Sequence, residues 1–468
     1  MTQAFDIIII GSGPGGYRAA VLGALRKLNV AIVEKHYWGG CCLNRGCVPK
    51  KAWHHTANML NQMDKLQKTG LKGNLTADFD QAWQHQQATS EQVRDNYANY
   101  MKRLGIQTFQ GHGSLESNNT VCITDGKQKQ SISGEHIILA TGSGPLLPEG
   151  IEISQRLIST DELFELNPPA GDEVALIGSG VIAVELAFIL SKLGKNIHWY
   201  SRSPILKNSD FSEQAVKALS KAFSDASISL PDNGLPSKYI ENNQVELVFE
   251  NSVPKKVDWV LFATGRKPHT CKLGLEYTNI LVDDNGFIKT NDFLQTAEKN
   301  IYAIGDVRSP LMTANQAIAD ATVAIENILY KESSTEQSTD VPQAIYSCIE
   351  MAKVGLNEDQ AEDEDFEPAT GFAAFESSPT ALGQNDTEGF LRIIADMDSG
   401  KFLGGEIVGK NAGELIHLMA LHKNTNTSLN QFAQMIINHP SRSEEIVNAT
   451  ETLANKWNME EFVFGGKN

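Results

Sequence analysis

The sequence contains no long apolar run and no cluster of basic residues. No stretch approaches the roughly 18–20 consecutive apolar residues that span a bilayer, so we expect no membrane segment. Acidic residues outnumber basic ones, 57 Asp and Glu against 40 Lys and Arg, which gives a formal net charge of −17. Because nucleic-acid binding depends on clustered Lys and Arg, we also expect no nucleic-acid partner.

The chain also lacks a recognisable signal peptide and is poor in cysteine. Met1–Asp6 leads directly into the apolar residues 7–10, without a charged segment, a sufficiently long apolar segment or a small-residue cleavage site. We therefore expect a cytoplasmic protein. Six cysteines in 468 residues do not make a disulfide framework, and in a reducing compartment a close cysteine pair points to catalysis or metal binding.

The length and the distribution of motifs predict an α/β chain with several domains. A chain of 468 residues with 41% hydrophobic and 21% charged residues is typical of a globular protein with about three domains. We place one nucleotide-binding domain in two parts, 1–150 and 270–335, and a second one at 151–269. After a polar linker at 331–340, residues 341–468 form a C-terminal domain without a glycine-rich motif.

A glycine-rich turn follows the first apolar strand. Residues 7–10 form a short buried strand, Gly11, Gly13 and Gly16 occupy the GxGxxG positions, and a helical pattern continues over 17–28. The next strand, 30–34, ends in Glu34, where a carboxylate can bind an adenosine ribose. Strand, turn, helix and acidic residue together predict a dinucleotide site, with the pyrophosphate at the helix N-terminus.

The same arrangement recurs in the middle of the chain. A strand from 174 leads into Gly178 and Gly180, with Ala183 in place of the third glycine, and a helix follows at 184–193. The next strand, 196–200, ends without an acidic residue, and Ser201 and Arg202 occupy that place. Arg202 would meet a 2′-phosphate or lie in solvent, so the choice between NAD and NADP stays open.

Three further apolar strands bring the chain back towards these sites. Two of them end in Ala-Thr-Gly turns, at Thr141 and Gly142 and at Gly265, and the third ends at Asp306. The Asp306 carboxylate is placed to accept hydrogen bonds from a ribose or ribityl hydroxyl. The alternative is an aspartate that only caps a helix.

Cys42 and Cys47 lie in one short turn beside the first dinucleotide site. An ideal helix would hold residues five apart at roughly 8–9 Å between Cα atoms, whereas a disulfide requires roughly 4.4–6.8 Å. The backbone must therefore tighten, and Asn44, Gly46 and Pro49 suit such a bend. Two unpaired thiols are the alternative. We expect no metal site, because adjacent histidines at 54 and 55 point in different directions.

A histidine precedes the last apolar helix. Ser441 and Glu444 fit a capping box, which requires no catalytic role. Alternatively, His439 is an acid–base group whose imidazole Glu444 orients.

Taken together, these motifs resemble the FAD-dependent pyridine nucleotide–disulfide oxidoreductases of class I, over nearly the whole chain. The motifs occur in the family's order: Gly11–Gly16, Glu34, Gly39–Pro49, Ala140–Gly142, Gly178–Glu185, Ala263–Arg266, Gly305–Asp306 and His439–Pro440. Within the family, Gly13–Ala20 and Gly404–Ile416 are most similar to the branch that oxidises dihydrolipoyl groups.

The resemblance implies two Rossmann-like dinucleotide-binding domains, for FAD and NAD(P), plus a C-terminal α+β dimerisation domain and a homodimer. It assigns Gly113 and Ala314 to the FAD site, beside the first-site residues above, and Ser201, Arg202 and Gly265 to the NAD(P) site. It implies that Glu185 forms an ion pair near the flavin with Lys50 or Lys51, and we favour Lys51.

The implied reaction is thiol–disulfide exchange. A substrate thiolate attacks the Cys42–Cys47 disulfide, Cys42 forms the mixed disulfide, and Cys47 faces the flavin. The base is His439 of the other subunit, held by Glu444. The substrate is dihydrolipoamide or a lipoyl-carrying protein, and electrons pass through FAD to NAD.

Some residues depart from that branch and leave alternatives open. Cys41 replaces the usual small residue before the first redox cysteine, and we interpret it as a buried substitute rather than a third exchanging thiol. The segments Val48–Lys51 and Ser443–Glu445 are more similar to glutathione reductase, and Arg202 falls where NADPH-using relatives place an arginine. An NADPH-dependent reductase of another disulfide is therefore the alternative enzyme. A flavin-binding assembly subunit is the non-enzymatic alternative, and it would tolerate loss of Cys42.

Overall fold

The computed structural model describes residues 3–166, 168–250, 252–335 and 341–465. The predicted linker at 331–340 lies partly outside this part of the chain, because 336–340 are not described. The first unit contains twelve helices and strands: β1 (Gln3–Ile10), α1 (Pro14–Leu25), β2 (Val30–Glu34), α2 (Gly40–Arg45), α3 (Cys47–Asn61), α4 (Met63–Lys68), α5 (Phe79–Arg103), β3 (Gln107–Gln110), β4 (His112–Leu115), β5 (Thr120–Asp125), β6 (Gln128–Leu139) and β7 (Ser143–Pro145).

Strand β1 lies inside the first sheet, paired with a strand on each side, and both of its faces are covered. Ile7, Ile8 and Ile9 are fully buried, as expected for a continuous apolar run in a parallel sheet. The strand order is β3-β2-β1-β6-β5-β4, with β3, β2, β1 and β6 parallel and β4 and β5 antiparallel. The carboxyl ends of β1 and β2 therefore lie together, above the first glycine turn.

The second unit repeats this plan in a smaller sheet. Its elements are β8 (Leu157–Ser159), α6 (Thr160–Glu165), β9 (Glu173–Ile177), α7 (Val181–Lys192), β10 (Asn196–Ser201), α8 (Glu213–Asp225), β11 (Asp232–Asn233), β12 (Lys238–Glu241), β13 (Val245–Val248), β14 (Lys255–Val257) and β15 (Trp259–Phe262). Its parallel sheet has the order β11-β10-β9-β15-β8, and β12, β13 and β14 form a small antiparallel sheet beside it.

The chain then returns to the first unit. Strand β16 (Arg266–Pro268) pairs with β7 in a two-stranded arm between the two units, and β17 (Ile301–Ala303) joins the first sheet beside β6. Helix α9 (Ala314–Tyr330) packs against α1. The first sheet is therefore built from two separate stretches of sequence.

The C-terminal unit is an antiparallel sheet covered by helices. Its elements are β18 (Gln343–Tyr346), β19 (Glu350–Gly355), α10 (Glu358–Asp363), β20 (Pro368–Ala374), α11 (Pro379–Gly383), β21 (Phe390–Asp396), β22 (Phe402–Val408), α12 (Ala412–Thr425), α13 (Leu429–Ala433), α14 (Glu444–Trp457) and α15 (Glu460–Phe464). The strand order is β18-β19-β22-β21-β20. Two Rossmann-like units and an α+β unit confirm the predicted fold class, whereas the domain boundaries stay a prediction.

Candidate active site

One cavity of about 2030 Å³ contains both glycine turns and the cysteine pair. The sequence placed these groups in different domains, and the structure brings them to a common surface. Nineteen of the predicted site residues line this cavity: Gly11, Gly13, Gly16, Glu34, Cys42, Cys47, Lys50, Lys51, Gly113, Thr141, Gly142, Gly178, Gly180, Glu185, Ser201, Arg202, Gly265, Asp306 and Ala314.

Three predicted site residues do not line the cavity. Ala183 is fully buried in helix α7, where its Cβ is 3.6 Å from the position that a Cβ on Gly178 would take. It therefore packs the helix against the turn and does not face a ligand. His439 and Glu444 belong to the C-terminal unit and lie outside the residues that line this cavity.

The cysteine pair forms a disulfide across a break between two helices. Cys42 belongs to α2 and Cys47 begins α3, and their Cα atoms are 4.7 Å apart. Gly46 breaks the helical path with φ −144° and ψ −106°, and the Asn44 amide donates to the Gly40 carbonyl at 2.7 Å. The predicted tightening of the backbone is confirmed, and the alternative of two unpaired thiols is wrong.

The first glycine turn is shaped to hold a dinucleotide. A Cβ on Gly11 would lie 2.3 Å from the Ala140 carbonyl oxygen, so the two strand ends approach as only glycine permits. A Cβ on Gly13 would meet nothing within 4 Å, and the N-terminus of α1 has no side-chain cap. Free backbone N–H groups at an open helix N-terminus are what a pyrophosphate requires.

The Glu34 carboxylate is fixed at the edge of this turn. Its Oε2 atom accepts hydrogen bonds from the Ser12 amide at 2.9 Å and hydroxyl at 2.7 Å, and its Oε1 atom accepts one from the His36 amide at 2.8 Å. A carboxylate has about four lone-pair positions, so one remains for a ribose hydroxyl. These residues fit an FAD.

Asp306 lies in a short 3₁₀ turn at Gly305–Val307. The Ser143 hydroxyl donates to its Oδ2 atom at 2.6 Å, and burial raises the pKa of the Asp306 carboxyl. The residue that caps the next helix, α9, is Thr313. The alternative prediction, that Asp306 only caps a helix, is therefore wrong.

The second glycine turn is built in the same way as the first, but Ser201 and Arg202 stand beside it in place of an acidic residue. A Cβ on Gly178 would lie 2.2 Å from the Ala263 carbonyl oxygen, whereas one on Gly180 would meet open space. The Ser201 hydroxyl donates to the Ser203 carbonyl at 2.6 Å, so it shapes the turn after β10. Arg202 is exposed on the cavity rim. These residues fit a nicotinamide dinucleotide, and the preference between NAD and NADP stays a prediction.

The ion pair beside the disulfide involves Lys50, which corrects the preference for Lys51. The Lys50 ammonium contacts the Glu185 carboxylate, which is buried and also accepts a hydrogen bond from the Tyr346 amide at 2.8 Å. The Lys51 Nζ atom lies 3.2 Å from the centre of the Tyr346 ring, and burial lowers the pKa of Lys51. Tyr346 belongs to the C-terminal unit, so no local pattern around the two lysines distinguishes them.

Cys41 lies beside Arg266, an arginine to which the sequence motifs assigned no separate role. The Arg266 guanidinium donates to the Cys41 sulfur at 3.3 Å and to the Ser143 hydroxyl at 2.8 Å. Burial raises the pKa of the Cys41 thiol, which disfavours the reactive thiolate. Arg266 stood within the Ala-Thr-Gly-Arg motif, and its pairing with Cys41 required the fold to bring the two together.

His439 and Glu444 form the predicted pair. The His439 Nδ1 atom lies 2.7 Å from Glu444 Oε1, and Glu444 Oε2 accepts a hydrogen bond from the Ser441 amide at 2.7 Å. The Ser441 amide and then His439 lower the pKa of the Glu444 carboxyl. Helix α14 begins at Glu444, and the Ser441 hydroxyl has no hydrogen-bond partner among the described residues, so only one half of the expected capping box forms.

Two dinucleotide cradles that share one cavity with a redox-capable disulfide define a class of enzyme. A disulfide exchanges electrons with thiols, and a flavin and a nicotinamide nucleotide can transfer the electron pair onwards. Fold and site together are those of a disulfide oxidoreductase that uses two dinucleotides.

The chain belongs to the pyridine nucleotide–disulphide oxidoreductase family. The family model matches residues 5–324, and the model of the family's dimerisation domain matches residues 341–450. The dihydrolipoyl dehydrogenase of Corynebacterium glutamicum is 30% identical over 97% of this chain and 99% of its own length. That of Buchnera aphidicola is 32% identical over 94% of each chain. These relatives do not favour the alternative of a glutathione reductase-like enzyme.

Two solved structures share the fold. LpdA from Mycobacterium tuberculosis covers 96% of this chain with a TM-score of 0.89 at 20% identity, and 99% of its own chain is covered. The HOCl-induced flavoprotein disulfide reductase RclA from Escherichia coli covers 97% with a TM-score of 0.82 at 23% identity, and all of its own chain is covered. Across the described ranges, none of the helices has the length and apolar character needed to pass through a bilayer.

Proposed function

We propose that this chain is a cytoplasmic dihydrolipoyl dehydrogenase that oxidises dihydrolipoyl groups with NAD as the electron acceptor. The observation that carries the proposal is the Cys42–Cys47 disulfide, which lines the same cavity as both glycine turns. Full-length relatives with the name dihydrolipoyl dehydrogenase supply the substrate class. The substrate is free dihydrolipoamide or a lipoyl group on a separate protein.

The cysteines accept the electron pair from the substrate. One thiolate of the dihydrolipoyl group attacks Cys42 Sγ, which breaks the Cys42–Cys47 bond and leaves Cys47 as a thiolate. The second substrate thiol, after losing its proton, attacks the substrate sulfur of the mixed disulfide and releases Cys42. The products are a lipoyl disulfide and two reduced cysteines, so two electrons have moved to the protein.

A base must remove protons from the substrate thiols, since only thiolates exchange. We assign this role to His439, whose Nδ1 atom faces the Glu444 carboxylate and whose Nε2 atom is then the basic nitrogen. His439 lies on the C-terminal unit and is exposed, outside the cavity of its own chain. We therefore propose a homodimer in which each His439 serves the disulfide of the other subunit.

The remaining residues hold the cofactors and set the charge beside the disulfide. Gly13 and the N-terminus of α1 would hold the FAD pyrophosphate, and Gly180 would hold that of the nicotinamide nucleotide. When bound, FAD supplies the transfer of the electron pair between Cys47 and the nicotinamide ring. The Lys50–Glu185 pair keeps a fixed positive and negative charge beside this path.

The test is the reaction of purified FAD-loaded protein with dihydrolipoamide, with NAD and NADP in parallel and nicotinamide absorbance as the readout. Rapid NADH formation that Cys42→Ser abolishes is the expected result. Activity that survives Cys42→Ser would contradict the proposed role of the disulfide. A third outcome is that the protein fails to turn over dihydrolipoamide while NADH or NADPH still reduces its flavin. That result would contradict the proposed substrate but not the enzyme class.

A further inference from the structure

The rim of the second dinucleotide site is attached to the C-terminal unit by buried charges. Three charged side chains lie side by side on neighbouring strands of the C-terminal sheet: Lys353 on β19, Glu406 on β22 and Arg392 on β21. They are 7%, 5% and 9% exposed. Burial of charged groups is costly unless they are paired, so the contacts of this row matter.

Both carboxylate oxygens of Glu406 accept hydrogen bonds from the nicotinamide-nucleotide unit. Its Oε1 atom accepts a hydrogen bond from the Ser212 amide at 2.8 Å, and its Oε2 atom accepts one from the Ser212 hydroxyl at 2.5 Å. The same hydroxyl accepts from the Ala215 amide at 3.1 Å, because Ser212 is the N-cap of α8. Beside it, Lys353 pairs with Asp210 at 3.0 Å. The chain from 210 to 212 is thus bound at successive points.

These contacts hold one end of a segment that forms the rim of the nucleotide site. Eight residues of segment 201–212 line the cavity, among them Arg202, Leu206 and Phe211. Nearer its start, the segment is bound to the second glycine turn: the Ser203 hydroxyl lies 3.2 Å from the Ser179 hydroxyl, and the Leu206 amide donates to the Ser179 carbonyl at 2.9 Å. Leu206 has φ +55°, a conformation that a non-glycine residue keeps only when neighbouring contacts enforce it.

We propose that Glu406 is a positioning residue for nicotinamide-nucleotide binding. It fixes the Ser212 end of segment 201–212, so that the residues between its two attachment points face the adenosine half of the nucleotide. The C-terminal unit thereby contributes to a part of the site that is lined by the nicotinamide-nucleotide unit. The proposal rests on the second cradle binding a nicotinamide dinucleotide, and it does not depend on which disulfide the enzyme uses.

Glu406→Gln is the direct test. A glutamine removes the negative charge, and its NH₂ group faces either the Ser212 amide or the Arg392 guanidinium, both of which are donors, so charge-assisted hydrogen bonds are lost. We expect the affinity for ADP-ribose, the part of NAD without the nicotinamide ring, to fall about tenfold by calorimetric titration of the holoenzyme. Reduction of the flavin by dithiothreitol, which requires no nucleotide, should stay unchanged.

Glu358→Gln is the matched control. The Glu358 carboxylate contacts the guanidinium of Arg392, which also lies 3.4 Å from the Glu406 carboxylate, and it accepts from the Thr370 hydroxyl at 2.7 Å, all within the C-terminal unit. Its loss disturbs the same buried row without touching Ser212, and we expect unchanged ADP-ribose affinity. Equal weakening in both variants, or no weakening in Glu406→Gln, would overturn the proposal.

Amide hydrogen exchange gives a readout that does not depend on turnover. In Glu406→Gln, amides of residues 202–215 should exchange faster than in the parent enzyme, and those of the first glycine turn should not. If Glu406→Gln fails to fold, Ser212→Ala tests the same contact, with Asp78→Ala at the N-cap of α5 as the control for the loss of a cap. Faster exchange across the whole chain in Ser212→Ala, or unaltered exchange in 202–215, would contradict the assignment. Because no lipoyl substrate is used, these results are independent of the proposed reaction.

Discussion

His439 is held at one ring nitrogen by Glu444, and this arrangement defines its chemistry. With Nδ1 facing the carboxylate, the proton stays on that nitrogen and Nε2 is basic. Glu444 is itself fixed by the Ser441 amide, which keeps the imidazole in one orientation. This is the arrangement that the proposed roles of a base and its orienting carboxylate require.

Replacement of His439 should slow one half of the reaction only. For His439→Gln we expect flavin reduction by dihydrolipoamide to slow by about 10²–10⁴-fold, the usual contribution of a general base. Flavin reduction by NADH needs no thiol deprotonation and should be unaffected. Rapid mixing with each reductant separates the two. A parallel loss in both half-reactions would argue against a role as base.

The two neighbouring lysines should differ in their effect on stability. Lys50→Met removes the cation that contacts the buried Glu185 carboxylate, and breaking a buried pair costs about 3 kcal/mol. Lys51→Met removes a cation over the Tyr346 ring and leaves that pair intact, so its cost should be smaller, about 1 kcal/mol. Urea unfolding of both variants gives the comparison. A larger loss for Lys51→Met would contradict the assigned pairing.

At this scale the sequence predicted the cysteines because a short spacing and a bend-forming glycine are local properties. The choice between Lys50 and Lys51 was not local. Both lysines are on the helix that begins at Cys47. Tyr346, far along the chain, contacts Lys51 with its ring and binds Glu185, the partner of Lys50, with its amide. No local pattern contains that information.

The two glycine turns are the clearest case of sequence determining an element. Their helices begin earlier than expected, at Pro14 and Val181, where the sequence suggested Tyr17 and Val184. The reason is that the middle glycine of each motif is itself the N-cap, so the first helical turn lies within the motif. The first of these helices also ends early, at Leu25, and Lys27 adopts φ +70° beyond it.

Alanine at the middle glycine of each turn should separate the two cofactors. A Cβ at Gly13 or Gly180 meets no protein atom within 4 Å and projects into space that the pyrophosphate needs. Gly13→Ala should yield folded protein with little FAD, and Gly180→Ala should retain FAD while its affinity for NAD falls about tenfold. Flavin absorbance and NAD titration measure the two effects. Loss of FAD in Gly180→Ala would contradict the assignment of the sites.

At the scale of the whole molecule, the proposed reaction centre combines the exposed His439 of one chain with the disulfide of the other. This arrangement can be tested by mixing inactive variants. Co-expressed Cys42→Ser and His439→Gln chains form hybrid dimers in which one centre has both defects and the other has none. Random pairing should restore about a quarter of the parent activity in a symmetric dimer. No recovery, despite mixed dimers verified by mass spectrometry, would place both groups in the same chain.

Buried neutral histidines make the molecule sensitive to acid. Burial lowers the pKa of His422 to about 4, and its ring stacks on Phe432 with centroids 4.0 Å apart. Above about pH 6.5 the residue is neutral in both states, and below it the unfolded chain binds a proton that the folded chain does not. The free energy of unfolding should therefore fall between pH 6.5 and 4, by at most about 3 kcal/mol from this residue.

A variant without the titrating ring isolates this contribution. His422→Phe should show a weaker loss of stability between pH 6.5 and 4 than the parent protein, by urea unfolding at each pH. His417→Phe, on the exposed side of the same helix, should leave the slope unchanged. Identical slopes in the parent and both variants would show that His422 does not contribute.

The docking of the C-terminal unit was the least predictable part of the molecule. Its sheet contains no glycine motif, and its buried charged residues cannot be distinguished in the sequence from ordinary exposed polar residues. Glu406 acquires its role only when Ser212 is opposite it, and the two are brought together by the fold of three units. Sequence patterns describe how an element forms, and they contain little about which distant element it meets.

This docking restricts how the chain can be recombined with its relatives. An exchange of everything after residue 340 would preserve both glycine turns and the cysteine pair, yet it would replace the Tyr346 ring that contacts Lys51 and the carboxylate that holds Ser212. A functional hybrid would have to transfer these partners together. The three units are therefore less independent of one another, in evolution and in engineering, than their separate sheets suggest.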